Sequence, residues 1–270
     1  YSVVGSPVQN GKFDSLGTGA VVYAYDESSP YNPSGNQGLN RYKTPDQLEL
    51  PGMESGVGYF SAFTGDESGK VIFVGTPNHG TVEVGLSYTD QGVTEEEPYE
   101  GYNLVSNPYP AAISVESFFD ANSGLDMDAA VYIWDDYSSD TERGTNADYI
   151  VVNNLGNTST NSRADGEERF DGNIRSAQGF FVKANSSGQT LQFSDAMKVT
   201  GNNSDAGYFR KASTTKFKFS LSNDQESKAT LIGYVSDATL AKDKAYDALH
   251  MAGSDLQFYT LMNSGEKLAI

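Results

Sequence analysis

The chain repeats its own opening. "YSVVGSPV" at residues 1–8 returns as "YNLVSNPYP" at 102–110. Three more blocks follow in the same order. "VVYAYDESS" (21–29) matches "AVYIWDDYSS" (130–139), "GVGYFSAF" (56–63) matches "AQGFFVKA" (177–184), and "KVIFVG" (70–75) matches "TLQFSD" (190–195). The offset between matched residues grows from 101 at Pro7/Pro108 to 109 at Tyr25/Trp134 and 121 at Tyr59/Phe180. A catalytic motif rarely needs two copies, whereas a duplicated structural unit with longer loops in its second copy produces this pattern.

Each block reads as a strand. Val22, Ala24 and Asp26 alternate with Tyr23 and Tyr25, and Val131, Ile133 and Asp135 alternate with Tyr132 and Trp134. That period of two sends one set to a core and the other to a second layer or to solvent. Pro cannot donate to a ladder, so Pro7 and Pro108 are expected where the first strand of each copy leaves its sheet, and Asn107 favours a turn there. "GYF" and "GFF" place Gly58 and Gly179 before two aromatics, which suits a bulge or a close approach of backbones. Asp26 and Asp135 are expected to close strands and open turns. One helix is expected over "SVESFFDAN" (114–122), capped by Ser114, with Val115, Phe118 and Phe119 on one face.

The remaining segment changes character. "KFKFSLSN" (216–223) and "ATLIGYVSDAT" (229–239) alternate strongly, "DKAYDALHMAG" (243–253) reads as a turn and short helix, and 256–270 reads as a hairpin over Asn263-Ser264-Gly265. Glycine is abundant, and long Ala/Leu/Glu/Lys helical stretches are missing. The expected architecture is therefore all-β. It comprises two related β-sandwich or jelly-roll-like units in tandem, 1–98 and 99–212, plus an incomplete β unit at 213–270.

Charge narrows the partners. Residues 1–210 hold 11 Lys/Arg against 29 Asp/Glu, and 211–270 hold seven of each, so the first part carries the whole net charge of −18. A body this acidic repels phosphate backbones, which disfavours nucleic acid as a partner. Divalent cations are compatible with it, although acidity that only keeps a surface soluble is the plainer reading. No cysteine is present, which excludes thiol catalysis, zinc–thiolate sites and disulfides. No apolar run has membrane length, so membrane insertion is not expected. The start without Met and the end on "EKLAI" read as a processed or excised piece of something longer.

Specific chemistry is thinly supported. His79 lies in a turn and His250 beside an expected helix end, and no Ser–His–Asp grouping accompanies them. Carboxylate pairs such as Asp135-Asp136 are consecutive and point apart. The best ionic candidate is "DANSGLDMD" (120–128), where Asp120, Asn122, Asp126 and Asp128 alternate around Gly124 and offer hard oxygens for Ca²⁺. It lacks the bidentate Glu of an EF-hand, and a solvated acidic turn is the plainer reading. Asp165, Glu167, Glu168 and Asp171 form a poorer cluster. Trp134 is expected in a core, and Tyr99, Tyr102, Tyr109, Tyr137 and Tyr149 are candidate platforms for sugars. Asn157, Asn185 and Asn202 head N-x-Ser/Thr triplets that read as polar turns.

The ordered series "GYNLVSNPYPAAI", "AAVYIWDD", "AQGFFVKA", "LQFSDAMKV" and "FRKAS" resembles a β-rich region of large secreted proteins of Bacteroidetes bacteria. Such proteins carry a C-terminal sorting domain and leave the cell by the type IX secretion system. The resemblance covers most of 100–270 and, more weakly, 1–98. It implies an extracellular, cell-surface location, and "DSL" (14–16) fits the short O-glycosylation pattern of those bacteria, though chance is the better explanation of so short a match. The resemblance supplies no catalytic residues. The expected function is a non-catalytic structural or adhesive module that meets glycans, other surface proteins or copies of itself. The rivals are a carbohydrate-binding module, a filament or surface-layer subunit, and a carboxylate-based hydrolase. An array of exposed aromatics on one sheet face would favour the first, and a deep cleft with two facing acids the last.

Overall fold

The computed structural model describes residues 2–17, 19–30, 41–62, 71–90, 92, 100–136, 147–159, 170, 172–199, 215–223, 227–251 and 256–270. In chain order the elements are β1 (Ser2–Val4), β2 (Val21–Tyr25), β3 (Tyr42–Lys43), β4 (Tyr59–Ala62), β5 (Val82–Leu86), β6 (Tyr102–Ser106), β7 (Ile113–Ser114), α1 (Val115–Asn122), β8 (Ala130–Asp136), β9 (Ala147–Asn153), β10 (Gly156–Asn157), β11 (Asn173–Ile174), β12 (Gly179–Lys183), β13 (Gln189–Phe193), β14 (Thr215–Ser222), β15 (Ser227–Tyr234), β16 (Thr260–Leu261) and β17 (Lys267–Leu268). The fold is all-β, with α1 the one α-helix among the described residues. The chain divides into two compact units, Tyr1–Met127 with Asn173–Asn203, and Asp128–Gly172 with Ser204–Ile270.

In the first unit, β1, β4, β2 and β3 form an antiparallel sheet in that order, and β6 pairs with β12. The registers reproduce the duplication residue by residue. Ser2, Val3 and Val4 face Ser61, Phe60 and Tyr59. Their counterparts Asn103, Leu104 and Val105 face Val182, Phe181 and Phe180. Tyr25 faces Tyr42 across β2–β3, with ring centroids 5.3 Å apart at 70°. In the second unit Trp134, the counterpart of Tyr25, faces Tyr149 across β8–β9 at 5.1 Å and 67°. Edge-on aromatic pairs of this kind hold a register beyond their area of burial.

The two copies are not separate beads within the first unit. Val4 of the first copy bridges Gln178 of the second, and Val57 bridges Val105, which is the same contact with the copies exchanged. The Gly5 N–H donates to the Ala177 carbonyl, and the Ser106 N–H donates to the Gly56 carbonyl, both at 2.8 Å. Gly56 and Ala177 are counterparts, and both adopt left-handed backbone, at φ 84° and 59°. Gly58 and Gly179 make this crossing possible. A Cβ at Gly58 would press on the Val105 carbonyl and the Leu104 side chain, and one at Gly179 would collide with Val3. The close-approach reading of those glycines therefore holds. Strands β5 and β13, one from each copy, then pair over Val82–Leu86 and Gln189–Phe193. The boundary expected at 98/99 consequently falls inside the first unit, and that at 212/213 inside the second.

One expected strand is absent. Residues 71–75 form no strand, although their counterpart 190–195 supplies most of β13, which pairs with β5. Val71 and Phe73 still contribute to a core of Leu16, Val22, Ala24, Met53 and Tyr59 beneath the first sheet. On the other face Tyr25, Tyr42, Phe60, Phe181 and Tyr102 form a chain of mostly edge-on rings. The alternation of Val22 and Ala24 with Tyr25 thus separates two buried layers. Helix α1 starts as expected, its Ser114 Oγ accepting from the Ser117 N–H at 3.1 Å, and Phe118 packs on Phe180 and Phe193.

In the second unit β8, β9 and β10 run antiparallel, β14 pairs with β15, and β16 with β17 through the expected turn at Gly265, φ 98°. No helix forms over the described residues 243–251 of the segment expected to hold one, and 244–246 is a turn. Fully buried Asp128 accepts an ion pair from Lys242 at 2.6 Å, and the Asn153 amide donates to the Tyr246 carbonyl at 2.5 Å. These bonds tie the turn to β9 and to Asp128 just ahead of β8.

Candidate functional site

The two proline motifs meet at one buried side chain. Pro7 and Pro108 lie just beyond β1 and β6, as expected for residues that cannot donate to a ladder. Between them sits Asn78, from the turn "TPNHG". Its amide donates to the Ser6 carbonyl at 3.2 Å and the Pro108 carbonyl at 2.9 Å. Its side-chain oxygen accepts from the Ser55 hydroxyl at 3.1 Å, and its backbone N–H donates to the Pro7 carbonyl at 3.0 Å. Next to it, buried Asn107 donates to the carbonyls of Ala111, Ile174 and Arg175, and accepts from the Tyr109 N–H. Tyr109 donates to the Gly80 carbonyl at 2.5 Å, carries the Lys198 ammonium over its ring at 4.2 Å, and has its phenol pushed up to about 12 by burial. The geometry is that of a clamp. The amides of Asn78 and Asn107 and the Tyr109 hydroxyl satisfy backbone carbonyls that the interlocked strands would otherwise strand away from water.

The same holds for the buried acid Glu27. It accepts from the N–H of Gly101 and Thr89 and from the Thr89 hydroxyl, again joining the two copies. Asn78 and Glu27 were not singled out in the sequence, where a lone Asn or Glu carries no mark of its partners.

The candidate calcium residues are divided among separate tasks. Asn122 bonds the Phe118 carbonyl and both the carbonyl and N–H of Gln192, tying α1 to β13. Asp128 is paired with Lys242. Asp126 joins its neighbours through its backbone, donating to Gln189 and accepting from Asn185. Asp120 is exposed on α1. No group of three or more His, Cys, Asp or Glu side chains placed to hold a metal ion occurs among the described residues. Asp165, Glu167, Glu168 and Asp171 lie outside the described residues, as do Tyr99, Tyr137 and Asn202.

Neither histidine forms a catalytic grouping among the described residues. His79 is exposed near Asp195, which Lys198 and the Gly80 N–H hold below the usual carboxylate range. His250 is largely buried on Tyr259, and its Nε2 has no hydrogen-bond partner among the described residues. Burial, with Lys267 and Lys228 nearby, pushes its pKa down to about 4. A neutral histidine with only cations beside it is a poor general base.

Of the candidate sugar platforms, Tyr102 and Tyr109 are fully buried, because both faces of their segment are covered. Tyr149 is half-buried against Trp134. The aromatics that do reach solvent are elsewhere, on β14 and β15. Phe217 and Phe219 are about half exposed, and Tyr234 is 69 % exposed. A surface cleft of about 660 Å³, lined in part by Gln9, Lys12, Met53 and Glu54, opens beside the Gly11–Met53 bridge. Among its described lining residues Glu54 is the one carboxylate, and the facing acid pair that glycoside hydrolysis uses is not found there.

A family described as a domain of unknown function (DUF8693) matches residues 1–270. The chain belongs to this family. No curated protein matches it, and no solved structure does. No helix among the described residues is long and apolar enough to cross a membrane.

Proposed function

We propose that this DUF8693 chain is a non-catalytic structural or adhesive module of a large exported bacterial protein, displayed at the cell surface. The observation that carries the reading is the use made of its buried polar side chains. Asn78, Asn107, Asn122 and Glu27 each bond backbone groups and Asp128 pairs with Lys242, so these buried polar side chains are engaged in holding strands and turns together. Reciprocal pairing of two copies makes a stiff body without disulfides, which suits a spacer exposed to proteases. The export route rests on the resemblance to type IX-secreted proteins.

A carbohydrate-binding role is the second reading, favoured by the aromatic row Phe217, Phe219 and Tyr234 on one hairpin face. The test is a panel of polysaccharide, peptide and ester substrates, run together with a glycan array. The module reading expects no turnover and binding, if any, that disappears in Tyr234→Ala. Turnover that disappears on substituting a single Asp or Glu would contradict it.

A further inference from the structure

We propose that Lys242 and Asp128 condense into an intramolecular isopeptide bond, an amide between the Lys242 Nζ and the Asp128 Cγ. This goes beyond the module reading and does not rest on it.

The two side chains come from distant parts of one compact unit. Asp128 stands just ahead of β8, Lys242 follows β15 in sequence 114 positions later, and both belong to the second unit. The Lys242 Nζ lies 2.6 Å from Oδ2 of Asp128. The carboxylate has no solvent exposure, and the lysine side chain keeps 17 % of its own. A nitrogen in contact with a carboxylate oxygen is one C–O bond away from touching the carboxyl carbon, so little motion separates the ion pair from attack. The backbone holds it there. The Ala129 N–H donates to the Lys244 carbonyl at 2.9 Å, and the Asn153 amide holds the Tyr246 carbonyl. On the other side of Lys242, the Thr239 hydroxyl bonds the Asp243 carboxylate at 3.1 Å. Reactants fixed in contact this way react at effective concentrations on the order of 10⁵ M or more.

Burial favours the product. Two charges taken out of water lose hydration that their mutual attraction repays only in part. Condensation replaces them with one neutral amide and releases water. The reverse reaction needs water at Cγ, and the buried carboxylate keeps it away.

The step balances without an oxidant or cofactor. One proton passes from the ammonium to the carboxylate along their contact, leaving a neutral amine and a neutral acid. The amine lone pair attacks Cγ and the C–N bond forms. A second N–H proton moves to the departing hydroxyl, the C–O bond breaks, and one water leaves. Asp247 is placed to carry that second proton. It lies near enough to Lys242 for their charges to interact, and its Oδ2 accepts from the Asp243 N–H at 2.7 Å. Burial raises its pKa, with the Asp243 and Glu266 charges adding to the rise, which suits an acid that must take up a proton and return it. The product ties the start of β8 to the segment after β15 in a chain without cysteines, and closing so long a loop restricts the unfolded state.

Intact-mass measurement on the denatured full chain, aged at neutral pH until its mass is constant, tests this. The expected mass is one water below that of the sequence, and a protease digest is expected to contain a branched peptide joining the Asp128 and Lys242 segments. Lys242→Arg keeps the positive charge and is expected at the full sequence mass, with a circular-dichroism melt showing that it folds. Asp247→Asn leaves the reacting pair intact and is expected to slow the loss of water about tenfold or more. A wild-type chain at its full sequence mass overturns the proposal. A loss of water that persists in Lys242→Arg overturns it as well, because the water then comes from elsewhere.

Discussion

Asn78 shows how much one side chain can hold. Its amide reaches a carbonyl in each copy, and nothing else among the described hydrogen bonds joins Ser6 to Pro108. Asn78→Ala leaves both acceptors buried without that donor, which costs roughly 2–4 kcal/mol. Urea unfolding should show it as a lower midpoint at unchanged slope, and a midpoint shift below about 0.5 kcal/mol would mean that water replaces the amide. His250 makes a different prediction. Its pKa is about 4 in the folded chain against 6.5 in the open one, so the unfolded state takes up the proton first. Its contribution to stability is complete above pH 6.5 and drains as the pH falls from 6.5 towards 4. At pH 5 the loss is on the order of 1–2 kcal/mol, allowing for partial exposure. Because carboxylates also titrate there, the measurement is the difference between wild type and His250→Phe at pH 7.5 and pH 5, which should narrow at the lower pH. At residues 120–128, Asn122 and Asp128 are committed to α1–β13 and to Lys242. Millimolar Ca²⁺ is therefore expected to leave the melting midpoint unchanged, and a rise reversed by EDTA would restore the segment as a metal site.

At the scale of elements, the buried pair Asp128–Lys242 is the sharpest point of the second unit. Lys242→Met removes the ion-pair partner at 2.6 Å from a carboxylate with no solvent exposure and should cost up to about 3–5 kcal/mol, less where the other contacts of Asp128 hold its charge. A double-mutant cycle with Asp128→Asn checks this, since a loss confined to each single substitution identifies the stranded charge as the cause. Much at this scale was legible in the sequence. Period-two alternation located β2, β8, β14 and β15, and Ser114 located the start of α1. The repeat offsets even carried the register, because Val4 opposite Tyr59 requires Val105 opposite Phe180. What failed did so for physical reasons. Residues 71–75 have the residue types of a strand, yet they have no ladder partner among the described residues, and their counterpart β13 pairs with β5. Tyr102 and Tyr109 looked like surface rings because alternation cannot reveal a segment covered on both faces. The clamp at Asn78 was invisible, since its partners lie 72 and 30 positions away.

For the whole molecule, the central claim is that duplication produced two copies that complete one another. Gly5–Ala177 and Ser106–Gly56, Val4–Gln178 and Val57–Val105, and the pairing of β5 with β13 all run from one copy to the other. A copy alone would expose the edges and apolar surface that these contacts bury, and it would lose Glu27 and Asn78 as bridges. The most direct measurement expresses residues 1–98 and 99–270 as separate chains and compares thermal melts of each with the mixture. The account predicts no cooperative transition for 1–98 alone, and a one-to-one complex on mixing that melts cooperatively. A cooperative melt of 1–98 by itself, unchanged by adding its partner, would contradict it.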